Sequence, residues 1–72
     1  MTALQLKSTR KLLGLYLSEC SRVTTFPAST INAMELGRTP IKIIQAKTLR
    51  RRLHSECLRR IEQLTKLAGE LE

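Results

Sequence analysis

The sequence has no aspartate and no tryptophan, and it has a single histidine, tyrosine and phenylalanine: His54, Tyr16 and Phe26. A hydrolytic or acid–base site needs paired carboxylates, or a base with an orienting acid. Neither can be assembled around a lone His54, so enzymatic activity is not expected. Two aromatics are too few for a base-stacking platform, and no Gly-rich phosphate loop is present. His54 and Cys57 stand three apart on one helical face, with Cys20 the one other cysteine. Without a Cys-x-x-Cys or a His pair, that set does not have metal-ligand spacing, and no metal or cofactor is expected. Nothing else in the composition is of the secreted, disulfide-framework kind, so both cysteines are read as reduced, buried hydrophobes. No apolar run is long enough for a signal peptide or a membrane span. The expected location is cytoplasmic.

What is abundant is positive charge. Thirteen Lys and Arg face six Glu, for a net charge of +7. The excess is concentrated: residues 38–60 carry eight basic residues and one acid (Glu56), while residues 61–72 are net acidic. A basic segment of this kind favours a polyanionic partner. The first eighteen residues are basic and free of acid, as in a transit peptide, but an amphipathic packing helix is the stronger reading and needs no import signal. At helical spacing Leu6, Leu13, Leu17 and Cys20 form one stripe, with Leu12 and Tyr16 beside it.

Seventy-two residues make a single small helical domain, 1–72. A chain this short buries only about 60% of its unfolded surface, so it depends on good helices or a partner. An all-α fold of three helices is expected, spanning about 3–20, 29–36 and 39–68. The first ends where β-branched residues and Pro27 break the pattern, with Phe26 plugging the corner. The second is capped by Ser29 or Thr30 and stops at Gly37, a residue tolerant of the left-handed turn. The third is expected to start with Thr39 as N-cap and Pro40 in the first turn. Its apolar stripe reads Ile43, Ala46, Leu49, Leu53, Cys57, Ile61, Leu64, Ala68, Leu71. The spacing tightens to a short heptad seam at the end. Ile61, Leu64, Ala68 and Leu71 are thus the candidate oligomer interface, in a homodimer or a hetero-complex.

Residues 33–43, "AMELGRTPIKI", resemble the helix-turn-helix motif of small DNA-binding regulators. Ala33, Leu36, Gly37, Thr39 and Ile43 fill the roles of small crossing residue, core leucine, turning glycine, cap and anchor. The resemblance covers residues 31–50 and implies that the helix from Thr39 lies in the major groove. Thr39, Lys42 and Gln45 would then lie nearest the bases. Asn32, Arg38, Ile41 and Ile44 depart from the pattern: Asn32 falls where an aliphatic is usual, and the two isoleucines fall on the side facing DNA. The same punctuation would also make a plain helical corner in a bundle.

Downstream, "TLRRRLHSECLRR" puts Arg51, Arg52 and Arg59 opposite the apolar stripe, while Arg50 and Arg60 lie on or beside it. With Lys47, the outward three are the candidate phosphate contacts. The expected function is therefore a small, basic, non-enzymatic DNA-binding protein, with DNA favoured over RNA. The rival is a helical interaction module, such as an adaptor, small chaperone or subunit, whose arginines meet an acidic protein partner. Ile41, Ile44 and Leu58 lie off the main stripe and suit that second face.

Overall fold

The computed structural model describes all residues, 1–72, and is all-helical. Four helices are present: α1 (Ala3–Leu12), α2 (Leu17–Thr24), α3 (Ala28–Glu35) and α4 (Ile43–Glu70). The expected first helix is two helices. The residue that divides it is Gly14, at φ +67°. Leu15 N–H donates to the Arg10 carbonyl and Gly14 N–H to the Lys11 carbonyl. That pair of bonds closes a helix end by turning the chain left-handed, which an L side chain resists. The apolar spacing ran on across the break and concealed it. Tyr16 and Leu12 consequently fall outside the core, at 77% and 89% exposed, while Leu15 is buried.

Each of three helices opens on a side chain reaching back to the residue before the helix. Gln5 accepts from Thr2 N–H, Glu19 from Tyr16 N–H and Gln45 from Lys42 N–H. The orphan donors of a first turn are satisfied this way. α3 starts one residue earlier than expected, with Pro27 rather than Ser29 or Thr30 preceding it. It ends as its glycine indicates. Gly37 sits at φ +73°, with Arg38 N–H bonded to Ala33 O and Gly37 N–H to Met34 O.

The start of the last helix is a second correction. α4 begins at Ile43 with Lys42 as its cap, not at Thr39. Thr39 N–H bonds back to Ala33 O, so this residue belongs to the exit from α3. Pro40 disfavours helical backbone at the residue before it. Ile41 is drawn against the core from an extended link, which delays the helix further. Ile43, expected in the buried stripe, is 78% exposed.

The core is small: Leu6, Leu15, Cys20, Ile31, Met34, Leu49 and Leu53, with Phe26, Leu13, Leu17, Val23 and Ile41 packed around it. α2 packs on α3 and α4, and α1 packs on α3. A bidentate ion pair joins α1 to α3. Arg10 Nε donates to Glu35 Oε2 at 2.7 Å and Nη2 to Oε1 at 2.9 Å. The third arm, Nη1, donates to the Leu15 carbonyl at 2.9 Å. The two side chains are only 14% and 4% exposed. The Glu35 hydrogen bonds raise the Arg10 pKa above its ordinary value. Burial, with Glu35 nearby, raises that of the Cys20 thiol.

Beyond the body α4 continues alone. Every residue from Ile61 to Glu72 is exposed, and the molecule measures 46 × 20 × 19 Å. No helix is long and apolar enough to cross a membrane.

Removing one partner of a buried ion pair strands the other. Arg10→Met is therefore expected to cost about 3–5 kcal/mol, a large share of the roughly 5–15 kcal/mol that holds a domain together. Arg10→Met with Glu35→Leu should recover most of that loss. Urea melts followed by circular dichroism check both. A loss below about 1 kcal/mol for the single variant would contradict the assignment.

Candidate nucleic-acid interface

The structure contains two short helices, α2 and α3, joined by three residues: Thr25, Phe26 and Pro27. That length matches the turn of a helix-turn-helix corner. The corner is built from local chemistry. Thr25 takes φ +69°, the one non-glycine residue of the chain in the left-handed region. Buried Thr24 steadies it: its hydroxyl donates to the Cys20 carbonyl at 2.7 Å and accepts from Phe26 N–H at 3.4 Å. Phe26 turns inward to the core, and Pro27 starts α3.

α3 buries Ile31 and Met34 and commits Glu35 to Arg10. Ser29 and Asn32 are exposed, with Ala28, Thr30 and Ala33 half-buried. The outward face therefore presents hydroxyl, amide and methyl groups, and the helix has no unpaired charge of its own. Asn32, out of place when residues 31–50 are aligned to the motif, is an outward residue when α2 and α3 are the two helices. The pair of helices joined by a short turn is therefore α2 and α3, one helix earlier than residues 31–50. Two signals in the sequence bear on this: Gly14 after "RKLL", and Glu19 three residues after Tyr16. Together they expose α2 as a separate helix.

The expected contact residues are distributed as follows. Thr39 and Lys42 are exposed in the link after α3, and Gln45 is half-buried with its side chain engaged by Lys42 N–H. Thr39, Lys42 and Gln45 thus do not form one reading face at the start of a recognition helix. Lys47, Arg51 and Arg52 are exposed on α4. Arg51 also lines a shallow groove with Met1, Thr9, His54 and Cys57. Arg59 is 54% exposed at its side chain, but it forks onto Glu56 through Nε and Nη2. Arg60 Nε donates to the same carboxylate at 3.1 Å, and its Nη1 reaches the Leu13 carbonyl at the end of α1. Arg60 is thus an internal tether. Ile41 is half-buried, whereas Ile44 is 79% exposed.

Comparison with protein-family models, curated proteins and solved structures finds no match.

The acids explain the electrostatics. Of the three in residues 1–60, Glu19 caps α2, Glu35 holds Arg10 and Glu56 holds Arg59 and Arg60. The exposed Arg38, Lys42, Lys47, Arg50, Arg51 and Arg52 therefore have no carboxylate partner, whereas Arg22 shares a groove with Glu19 and Glu56. No group of His, Cys and Glu side chains has the arrangement of a metal site.

The hydrogen bonds from Arg59, and then from Arg60, hold the Glu56 carboxyl at about 2, against an ordinary 4.5. A carboxyl lowered on folding stabilises fully above its unfolded value and loses that contribution as pH falls through its folded value. Stability is thus expected to drop between pH 4.5 and pH 2. Glu56→Gln should lower stability at neutral pH and make the acid limb shallower. Urea melts from pH 6 to pH 2 on both proteins check this, and parallel limbs would contradict it.

Proposed function

We propose that the chain is a small, non-enzymatic DNA-binding protein of the regulator type, with α3 as its reading helix. The observation that carries this reading is the α2–α3 corner, which turns an uncharged, hydrogen-bonding face of α3 outward. In the major groove an Asn side chain can pair with adenine N6 and N7, a Ser hydroxyl can meet any base, and an Ala methyl can touch a thymine methyl. Asn32, Ser29, and Ala28 or Ala33 supply those three chemistries. Arg38, Lys42 and Lys47 follow α3 closely and fit phosphate contacts, as do Arg51 and Arg52 further along α4. Such contacts orient the protein without reading sequence. Thr39 and Gln45 move from the bases to the flank, and Arg59 leaves the phosphate set because Glu56 occupies it. DNA is favoured over RNA because the A-form major groove is too deep and narrow for a helix face. The cytoplasmic location expected from the sequence is part of this reading.

One observation favours the interaction-module reading. Leu12, Tyr16, Ile43 and Ile44 are each more than three-quarters exposed, and an acidic protein could meet the same cations.

Selection of bound duplexes from a random pool, followed by a salt series, separates the two readings. Asn32→Ala is expected to relax preference at one base pair, by about 1–3 kcal/mol of discrimination. Arg51→Gln with Arg52→Gln should leave the preferred sequence unchanged and lower the salt slope by about two units. Absence of duplex binding at low salt, or an unchanged preference in the Asn32 variant, would overturn the reading.

A further inference from the structure

α1 and α4 flank an open furrow. α1 rests on α3 and α4 on α2, and the two do not pack closely on each other. The space between them measures about 510 Å³, in the range of small-molecule sites. Its floor is apolar. Leu53 is buried there, Cys57 is half-buried beside it, and Met1 closes the α1 side against the core. Its α4 rim is cationic, with Arg50, Arg51 and His54 all exposed. Thr9 brings a hydroxyl from the opposite wall. No carboxylate lines the furrow. Both walls come from acid-free stretches, residues 1–18 and 36–55. The acids that border those stretches are held elsewhere: Glu19 caps α2, Glu35 holds Arg10, and Glu56 turns toward α2 with Arg59 and Arg60. The ion pairs of the structure thus leave Arg50 and Arg51 free.

The geometry points to a binding site for a small amphipathic carboxylate, its apolar body on Leu53, Cys57 and Met1 and its carboxylate on Arg50 and Arg51. Floor and rim together select that chemistry. A guanidinium pairs with a carboxylate through parallel N–H donors, and such a bond is stronger beside an apolar floor than in open water. A neutral apolar compound would leave those donors unused. Inorganic phosphate would meet the rim and leave the floor wet. The phosphates of a nucleic acid likewise reach the rim and have nothing to place on Leu53. The sulfur-bearing side chains Met1 and Cys57 are soft and accommodate either an aliphatic chain or an aromatic ring. The site does not depend on the DNA reading. Where that reading holds, the ligand takes Arg51 out of the phosphate set, so ligand and duplex each weaken the binding of the other.

Amide chemical-shift titrations of the full chain, without DNA, test the site. The probes are octanoate and naphthoate, each paired with its uncharged alcohol. At least one carboxylate is expected to bind saturably with a dissociation constant of about 1 mM or tighter. The shifts should centre on Thr9, Leu53, His54 and Cys57. Its alcohol should bind at least about tenfold more weakly, because it lacks the charged acceptor. Arg50→Gln with Arg51→Gln should weaken the carboxylate by a similar factor and leave the alcohol unchanged. The fold should survive, since both side chains are exposed and Arg and Gln have similar helix propensities. Lys11→Gln with Lys66→Gln removes the same charge away from the furrow and should change affinity by less than about twofold. Binding of one probe alone supports the proposal and identifies the body the floor prefers. No saturable shift with either probe would overturn it. So would equal affinity for acid and alcohol, or an equal loss in the two double variants.

Discussion

The fold depends on the guanidinium of Arg10. Two of its arms fork onto Glu35 in α3 and the third holds the Leu15 carbonyl just beyond the Gly14 turn. One side chain thereby fixes the end of α1, the exit toward α2 and the last turn of α3. A neutral residue could fill the space but could not make three directed bonds at once. The core beside it, seven buried side chains in 72 residues, is small enough that directional bonding of this kind matters. Arg60 acts similarly at the same end of α1, joining Glu56 to the Leu13 carbonyl. In both clusters an arginine satisfies a carboxylate and a helix-end carbonyl together.

These internal pairs set the character of the surface. Within residues 1–60 the structure commits all three acids inward or to a cap and leaves most of the cations outside, while Glu62, Glu70 and Glu72 stand exposed at the end of α4. Net charge alone could not show this, because a basic helix with its acids on the surface would have the same composition. The distinction lies in where Glu19, Glu35 and Glu56 point. The corner at Thr25 has a related logic. A β-branched residue in the left-handed region costs roughly 1–2 kcal/mol. The sequence accepts that cost at the one non-glycine residue in the left-handed region, where the direction of α3 is set.

Much of the architecture was legible in the sequence. Helical periodicity showed an all-α chain, and Gly37 marked the end of α3. The inward lean of Arg60 and the inward turn of Phe26 followed from position alone, but Arg50, placed beside the same stripe, is exposed. The break at Gly14 was hidden because Leu13, Leu17 and Cys20 keep helical spacing across it, so hydrophobic pattern outweighed a punctuation signal. The Thr39–Pro40 start failed for a tertiary reason: Ile41 is needed in the core, and the α3 exit captures Thr39. Those two errors together made α3 and α4, rather than α2 and α3, the expected pair of helices about a short turn. Glu56 was readable as an acid among arginines, but its burial was not, since it occupies a core-facing position usually held by an apolar residue.

In the proposed function α3 is the face offered to DNA. Amide chemical-shift mapping of the intact protein against a selected duplex tests it most directly. The largest changes are expected on Ala28, Ser29, Asn32 and Ala33, with smaller ones at Arg38 and Lys42. Changes confined to the exposed end of α4, or to Ile43 and Ile44 with α3 unaffected, would contradict it.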